Sequence, residues 1–357
     1  MLATITKAIT GAVTGAIALA LSSAVWAGPT LLLDASDGLI LYAEDYDNQW
    51  HPASLTKIMT AYVTFEALRE GKLQLDTKIG CSELAYNQPP SKVGLPVGAE
   101  MTVETALQVL IVKSANDVAV MLAEAVAGTQ EAFVARMNAT AARLGMTRTK
   151  FSNANGLPAS DQVTTARDLA KLAQAVLRDY PEHAPMWSMV DAKVGKRKLR
   201  THNGLLTNYE GADGLKTGFI CDSGFNVVAT ATREGRKLIA VVLGEPTGRE
   251  RTVRAASLLE HGFQTYGWKT LFDPQRLETM PMAADAKGPM TMRQAVISFE
   301  CGTGRRRAVA KKKSTKPKVA EDGATKAAPK QAPAAPKPKA PKAAVAKSAA
   351  SSAAAKQ

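Results

Sequence analysis

Apolar residues fall into short strand-like runs at two widely separated places in this 357-residue chain. Thr30–Ala35 and Leu39–Glu44 are joined at Ser36-Asp37-Gly38, the composition of a hairpin turn. Phe225–Arg233 and Lys237–Gly244 repeat the arrangement around Glu234-Gly235. Between the two pairs the apolar spacing becomes helical. One helix is predicted from Thr102 through Lys113, and a second behind an N-cap at Thr129, ended by Gly145. Thr165 with Asp168 reads as a capping box ahead of the stripe Leu169, Leu172 and Val176. A last helix starts near Arg249, turns Leu258 and Leu259 inward and stops near Gly262. Strands at both ends with helices between them predict one antiparallel sheet built from the two ends of a single domain. At roughly 240 residues such a domain buries a sizeable core.

The chain ends differ from this middle. Lys7 precedes a small-residue apolar stretch over residues 8–24, and Val25-Trp26-Ala27 has the small-x-small form of a cleavage site. Residues 1–27 are therefore read as a secretory signal; a retained anchor is the alternative, for which the stretch is short and rich in Ala and Gly. Export would bring the protein to the periplasm or cell envelope. From Arg305 to Gln357 there is no Leu, Ile, Met, Phe, Tyr, Trp or Cys. That tail carries 15 Lys or Arg against Glu321 and Asp322, a surplus equal to the whole chain's +13, so residues 1–304 are neutral. Such a composition cannot bury enough apolar surface to offset ordering entropy, and disorder is expected. The tail suits electrostatic contact with an anionic wall polymer or membrane. Without an aromatic residue to stack on bases, it does not suit specific nucleic-acid recognition.

Three cysteines, Cys81, Cys221 and Cys301, allow at most one pair, and free, partly buried thiols are the expectation. The four histidines have no metal-ligand spacing, so neither a metal nor another cofactor is expected.

Three short motifs follow one another: Ser54-Leu55-Thr56-Lys57, Ser114-Ala115-Asn116 and Lys216-Thr217-Gly218. In this order SxxK, SxN and KTG resemble the signature of penicillin-binding proteins and serine β-lactamases. Pro52-Ala53 through Ile58-Met59-Thr60, and Gly211-Ala212-Asp213-Gly214-Leu215 before the KTG, narrow the resemblance to low-molecular-mass D-alanyl-D-alanine carboxypeptidases, from about Thr30 to Trp268. The resemblance implies an α/β fold of the α+β kind, β-lactamase/transpeptidase-like: an antiparallel five-stranded sheet with flanking helices and a helical lobe. Residues 28–268 would be the catalytic domain. Residues 269–304 leave no room for the small β-rich second domain of many members and are read as a linker.

Each motif has a chemical reason. At i and i+3 on a helix, Ser54 and Lys57 share a face, where Ser54 is the nucleophile and Lys57 the base. Desolvation and the charge of Lys216 would lower the Lys57 pKa, and a helix N-terminus favours developing negative charge at Ser54. Ser114 can relay a proton to a leaving amine, and Asn116 can bind a substrate carbonyl or cap the helix that follows. Lys216, Thr217 and Gly218 read as an edge strand: the first two suit a terminal carboxylate, and the glycine lets substrate backbone approach. The resemblance implies an oxyanion hole of the Ser54 and Phe219 backbone N–H groups. It also implies that Arg249, in Gly248-Arg249-Glu250, lies near the carboxylate pocket; a surface salt bridge is the alternative. His202 stands where some relatives have Arg.

The activity implied is removal of the terminal D-alanine from peptidoglycan stem pentapeptides, with β-lactam antibiotics as covalent inhibitors. A class A β-lactamase would need an ExxLN glutamate, absent between Asn153 and Asp168. A DD-endopeptidase acting on cross-links remains compatible. A catalytically dead peptidoglycan-binding scaffold would need a broken motif, and none is broken.

Deleting residues 305–357 is expected to leave hydrolysis of a small soluble peptide unchanged while weakening retention on anionic wall or membrane fractions. The contact should fade with added salt, because exposed charges are screened within about 10 Å at 0.1 M. Equal cosedimentation of the two forms with sacculi and anionic vesicles at low salt would make the tail a passive extension.

Overall fold

The computed structural model describes residues 28–272, 275–296 and Cys301. The signal read over 1–27 and the tail read over 305–357 lie outside these residues. In chain order come β1 (Thr30–Asp34), β2 (Ile40–Glu44), a 3-10 turn (Ala53–Leu55), α1 (Thr56–Arg69), β3 (Lys78–Gly80), α2 (Glu83–Tyr86), β4 (Glu100–Thr102) and α3 (Val103–Val112). Next are α4 (Asn116–Ala127), α5 (Gln130–Arg143), α6 (Ala166–Asp179), α7 (Ala184–Trp187), β5 (Asp191–Val194), β6 (Arg197–Arg200) and α8 (Leu205–Asn208). The last are β7 (Ala212–Ile220), β8 (Gly224–Arg233), β9 (Arg236–Glu245) and α9 (Gly248–Phe272).

β8 and β9 are runs of Val, Ala, Leu and Ile buried almost throughout, which suits central strands. The five-stranded order is β2-β1-β9-β8-β7, every pair antiparallel, so the N-terminal hairpin pairs with the C-terminal one as the sequence predicts. Side chains alternate between two cores. Leu32, Leu41, Leu238 and Val242 meet Leu258 and Leu259 of α9, whereas Leu31, Leu33, Ile239 and Val241 join the core around α1. The side chains of Thr102, Thr129 and Thr165 accept the backbone N–H three residues on, as their capping roles require. Only half of the expected capping box forms, because Asp168 instead accepts from Arg148 N and Thr149 Oγ1.

Two boundaries read from sequence need correction. Gly262 does not end the last helix, which continues to Phe272. It is a contact residue: a Cβ there would lie 2.7 Å from Leu32 Cδ2 and 2.8 Å from Leu238 Cδ1, so glycine lets α9 lie close on the sheet. Residues 275–296 do not behave as a linker either. Ile40 N donates to Gln275 O and Leu277 N to Gly38 O, both at 2.8 Å, and Leu277, Met280, Met292 and Val296 are buried. A domain boundary at 268 therefore cuts through α9 and omits part of the core. The sparse apolar residues of this strap show no alternation because it lies on the domain without forming a strand.

The strap also corrects the cysteine reading. Cys221, in the β7–β8 turn, is disulfide-bonded to Cys301, with Cα atoms 5.6 Å apart, and only Cys81 is a free thiol. A further anchor is buried. Arg167 of α6 holds both oxygens of Asp47 at 2.7 and 2.9 Å and donates to Met280 O and Pro281 O.

Arg167→Met would leave the fully buried Asp47 carboxylate unpaired and is expected to cost about 3–5 kcal/mol in urea unfolding. Adding Asp47→Leu should restore part of that loss. A double variant no more stable than the single one would assign the cost to packing instead of charge.

Candidate active site

Ser54 lies in the 3-10 turn just ahead of α1, half-buried, and Lys57 lies in the first turn of α1 with no exposure at all. Lys57 Nζ is 3.0 Å from Ser54 Oγ, 2.7 Å from Asn116 Oδ1 and 2.5 Å from Asn155 O. The last two are acceptors only. A neutral amine would give them its two N–H groups and turn its lone pair to the Ser54 hydroxyl. Burial, reinforced by the charge of Lys216 and opposed by Asp117, holds the Lys57 pKa well below its usual value.

The turn between α3 and α4 places the SxN motif. Ser114 has a φ of 61°, a left-handed conformation uncommon for serine, between the ends of two helices. Its hydroxyl makes no hydrogen bond within the described residues and does not reach Lys57 directly. Asn116 is more occupied than its sequence role suggests. Its Oδ1 holds Lys57, its Nδ2 donates to Pro89 O and its backbone N to Ser91 O. One Nδ2 hydrogen remains for a substrate carbonyl. It is also not an N-cap: it is the first helical residue, and Ala115 occupies the cap. The neighbouring Asp117, fully buried, accepts from Val93 N and Gly94 N and so clamps the loop beside the site.

β7 is the sheet edge, as the KTG reading predicts. Lys216 and Thr217 are buried, Lys216 Nζ donates to Thr217 O at 3.0 Å, and the Thr217 hydroxyl is unengaged within the described residues. Desolvation first, then Arg251, pushes the Lys216 pKa down to about 7. Gly218 faces the Ser54 turn: a Cβ there would lie 3.0 Å from Pro52 O and 3.1 Å from Ser54 N. The glycine thus serves the approach of the Ser54 turn, where substrate backbone was expected. Phe219 stacks on Phe225 across the ladder, ring centroids 4.2 Å apart.

The arginine reading shifts by two residues. Arg249 is exposed at the start of α9 with no hydrogen bond or ion pair within the described residues. Arg251, two residues further on and so on the opposite side of the helix, is buried, donates Nη2 to His202 O at 3.2 Å and acts electrostatically on Lys216. The His202 pKa is pushed down to about 4, first by desolvation and then by Lys216, Lys113 and Arg251, so the ring is neutral at ordinary pH.

Two contributors were not read from sequence. Asn155 supplies the carbonyl on Lys57, within an Asn153-Ala154-Asn155-Gly156 run whose polar, turn-forming composition was the available signal. Asn226 of β8, paired with Gly218, donates to His51 O and Pro52 O and accepts from Gly244 N, tying three strands to the segment that leads into Ser54. A lone Asn in a strand gives no such signal.

An antiparallel five-stranded sheet beneath a helical lobe, with an SxxK pair at their junction, defines the penicillin-binding protein and transpeptidase fold. The chain belongs to the D-alanyl-D-alanine carboxypeptidase family (peptidase S11), whose model matches residues 16–247. It is 36% identical over 251 residues to D-alanyl-D-alanine carboxypeptidase DacC of Escherichia coli (strain K12), covering 68% of this chain and 63% of that protein. It is 32% identical over 267 residues to DacF of Bacillus subtilis (strain 168), covering 73% and 68%. Penicillin-binding protein 5 of Haemophilus influenzae superposes with a TM-score of 0.65 at 37% identity, covering 67% of this chain and 71% of that one. Penicillin-binding protein D2 of Listeria monocytogenes, in its cefotaxime-bound form, gives 0.61 at 32%, covering 66% and 97%. The chain spans 63% of the length of the first curated relatives it matches.

Lys216 is charged below about pH 7 and loses its charge above it. Affinity for a carboxylate ligand such as N-acetyl-D-alanine is therefore expected to fall as pH rises through that value, read by calorimetry from about pH 6 to about pH 9. A flat affinity across that range would remove Lys216 from anion binding.

Proposed function

We propose that this chain is a serine-type D-Ala-D-Ala carboxypeptidase that removes the terminal D-alanine from peptidoglycan stem pentapeptides through an acyl-enzyme on Ser54. The observation that carries the reading is the buried Lys57 amine, 3.0 Å from Ser54 Oγ and otherwise bonded to carbonyl oxygens. Neutral Lys57 takes the Ser54 proton as Oγ attacks the penultimate D-Ala carbonyl. The oxyanion is held by the backbone N–H groups of Ser54 and Phe219. The unengaged Ser114 hydroxyl, free to turn toward Lys57, then carries the proton to the leaving amine, and terminal D-alanine departs. Water, activated by the same amine, then hydrolyses the ester. Lys216, Thr217 and Arg251 receive the terminal carboxylate, with Lys216 and Arg251 supplying charge and Thr217 a donor.

The names of the relatives support this reading, and the cefotaxime-bound Listeria protein supports β-lactams as covalent inhibitors. A location in the cell envelope is supported by the signal-like residues 1–27 and by the Cys221–Cys301 disulfide, which suits an oxidising compartment.

Ser54→Ala should abolish both D-alanine release from a diacyl-D-Ala-D-Ala peptide and covalent labelling by a fluorescent penicillin, with the fold intact by circular dichroism. Labelling at the wild-type rate would exclude Ser54 as nucleophile. Lys57→Arg keeps the charge but cannot become neutral at working pH, and acylation should drop at least about a thousandfold. Retention of a tenth of the rate would leave Lys57 a merely electrostatic role.

A further inference from the structure

The β5–β6 hairpin, Asp191–Arg200, carries five cations (Lys193, Lys196, Arg197, Lys198 and Arg200) against the single acid Asp191. Residues 1–304 are neutral as a whole, so this is a local concentration of charge. The ladder pairs Asp191 with Arg200, Ala192 with Leu199, Lys193 with Lys198 and Val194 with Arg197. Ala192 and Leu199 are buried, so by alternation Asp191, Lys193, Lys198 and Arg200 stand on the opposite, outward face. Arg197 has an internal task, donating Nη1 to Val93 O at 2.7 Å. Lys198 reaches Asp191 at 2.8 Å. Lys193, Lys196 and Arg200 are exposed and have no ion-pair partner among the described residues. Lys193 directly opposite Lys198 is a like-charge cross-strand pair, which costs stability and serves no packing purpose.

The hairpin is continuous with the rim of the site. β6 runs on through Thr201 to His202, whose carbonyl holds Arg251, and to Asn203, whose Nδ2 donates to Gly214 O two residues before Lys216. On its other side β5 packs against α3, which leads to Ser114.

We propose that the outward face of this hairpin is a docking surface for a carboxylate-rich polymer: the acidic stem peptides that neighbour the one bound at Ser54. The inference rests on the reading of that site as acting on peptidoglycan. Charge complementarity and adjacency to the cleft select the occupant. The hairpin has no aromatic side chain to stack on nucleobases and no large apolar residue on its outward face to enter a bilayer. Its ammonium groups are spread along two short strands of roughly 14 Å, which suits carboxylates recurring along a mesh and not one buried anion. Such a surface raises the encounter rate with polymer and leaves the chemistry at Ser54 untouched.

The test compares the full chain with its Lys193→Ser/Lys196→Ser/Lys198→Ser variant and with the charge-preserving Lys→Arg triple. For D-alanine release from intact sacculi at low salt, kcat/KM of the serine variant should fall about five- to tenfold, and its cosedimentation with sacculi should weaken. Both differences should vanish near 0.5 M salt, and the arginine variant should match wild type. Hydrolysis of a neutral soluble diacyl-D-Ala-D-Ala peptide should be unchanged. Unchanged behaviour on sacculi overturns the proposal. So does an equal loss on the soluble peptide, which would make the hairpin a structural support, and so does a loss of binding confined to anionic lipid vesicles. If the wild-type protein releases no D-alanine from either substrate, the catalytic reading fails, and cosedimentation with sacculi alone decides whether the hairpin docks.

Discussion

An ammonium group with no exposure and no carboxylate in contact is costly to bury, and Lys57 is such a group. The surroundings provide three oxygen partners and a second buried cation, Lys216, so they favour the uncharged amine. Keeping water away requires protein on every side. α1 is accordingly buried from Thr56 to Phe65 without a polar face, packed among α3, α4, α5, α6 and the sheet. The helical lobe is the dry housing of one amine, and the loop clamped by Asp117 and Asn116 closes it beside the SxN turn.

The second constraint is alignment between that housing and the sheet edge. The Ser54 turn belongs to the helices and Phe219 to β7, and the proposed oxyanion hole draws on both. Contact is direct: Gly218 leaves room for Pro52 O and Ser54 N, and on the other side Gly156 leaves room for Ala53 O, which a Cβ would approach to 1.9 Å. Asn226 then fixes the register by bonding His51 and Pro52 from within the sheet. Missing side chains at two glycines and one buried amide thus set the geometry as firmly as the motif residues themselves.

Much of the sheet was legible because its strands are apolar runs bounded by turn residues, and three helices were legible because a threonine caps each. The apolar pattern did not show α1, since a helix buried all round has no polar face to give a period, and there only the SxxK spacing pointed to a helix. Ser54, Lys57, Ser114, Asn116, Lys216 and Thr217 stand out through motif spacing. Asn155, Asn226 and Arg251 do not, because their roles come from a backbone carbonyl, a cross-strand amide and a helical phase that chain distance cannot supply. The two-residue slip from Arg249 to Arg251 is of this kind: only the rotation of α9 decides which arginine turns inward. The cysteine pair was hidden for a similar reason, since its partners are 80 residues apart and meet only when the strap folds back.

That strap answers a mechanical problem. Under the proposed function β7 offers its backbone to a ligand, so it cannot be covered along its free side and must be held from its ends. At one end of β7, Asn203 Nδ2 donates to Gly214 O. At the other, the turn Cys221-Asp222-Ser223 is held three times: by the disulfide to Cys301, by Met292 N and Arg293 on Asp222, and by Trp50 Nε1 on Ser223 O. Closing an 80-residue loop is worth about 4–5 kcal/mol in the chain-entropy account. Trp50 lies four residues before Ser54, so the same turn that ends β7 also braces the approach to Ser54. Rigidity of the sheet edge and placement of Ser54 are therefore one property of the fold, and the residues beyond α9 belong to the same folded domain because they supply part of it.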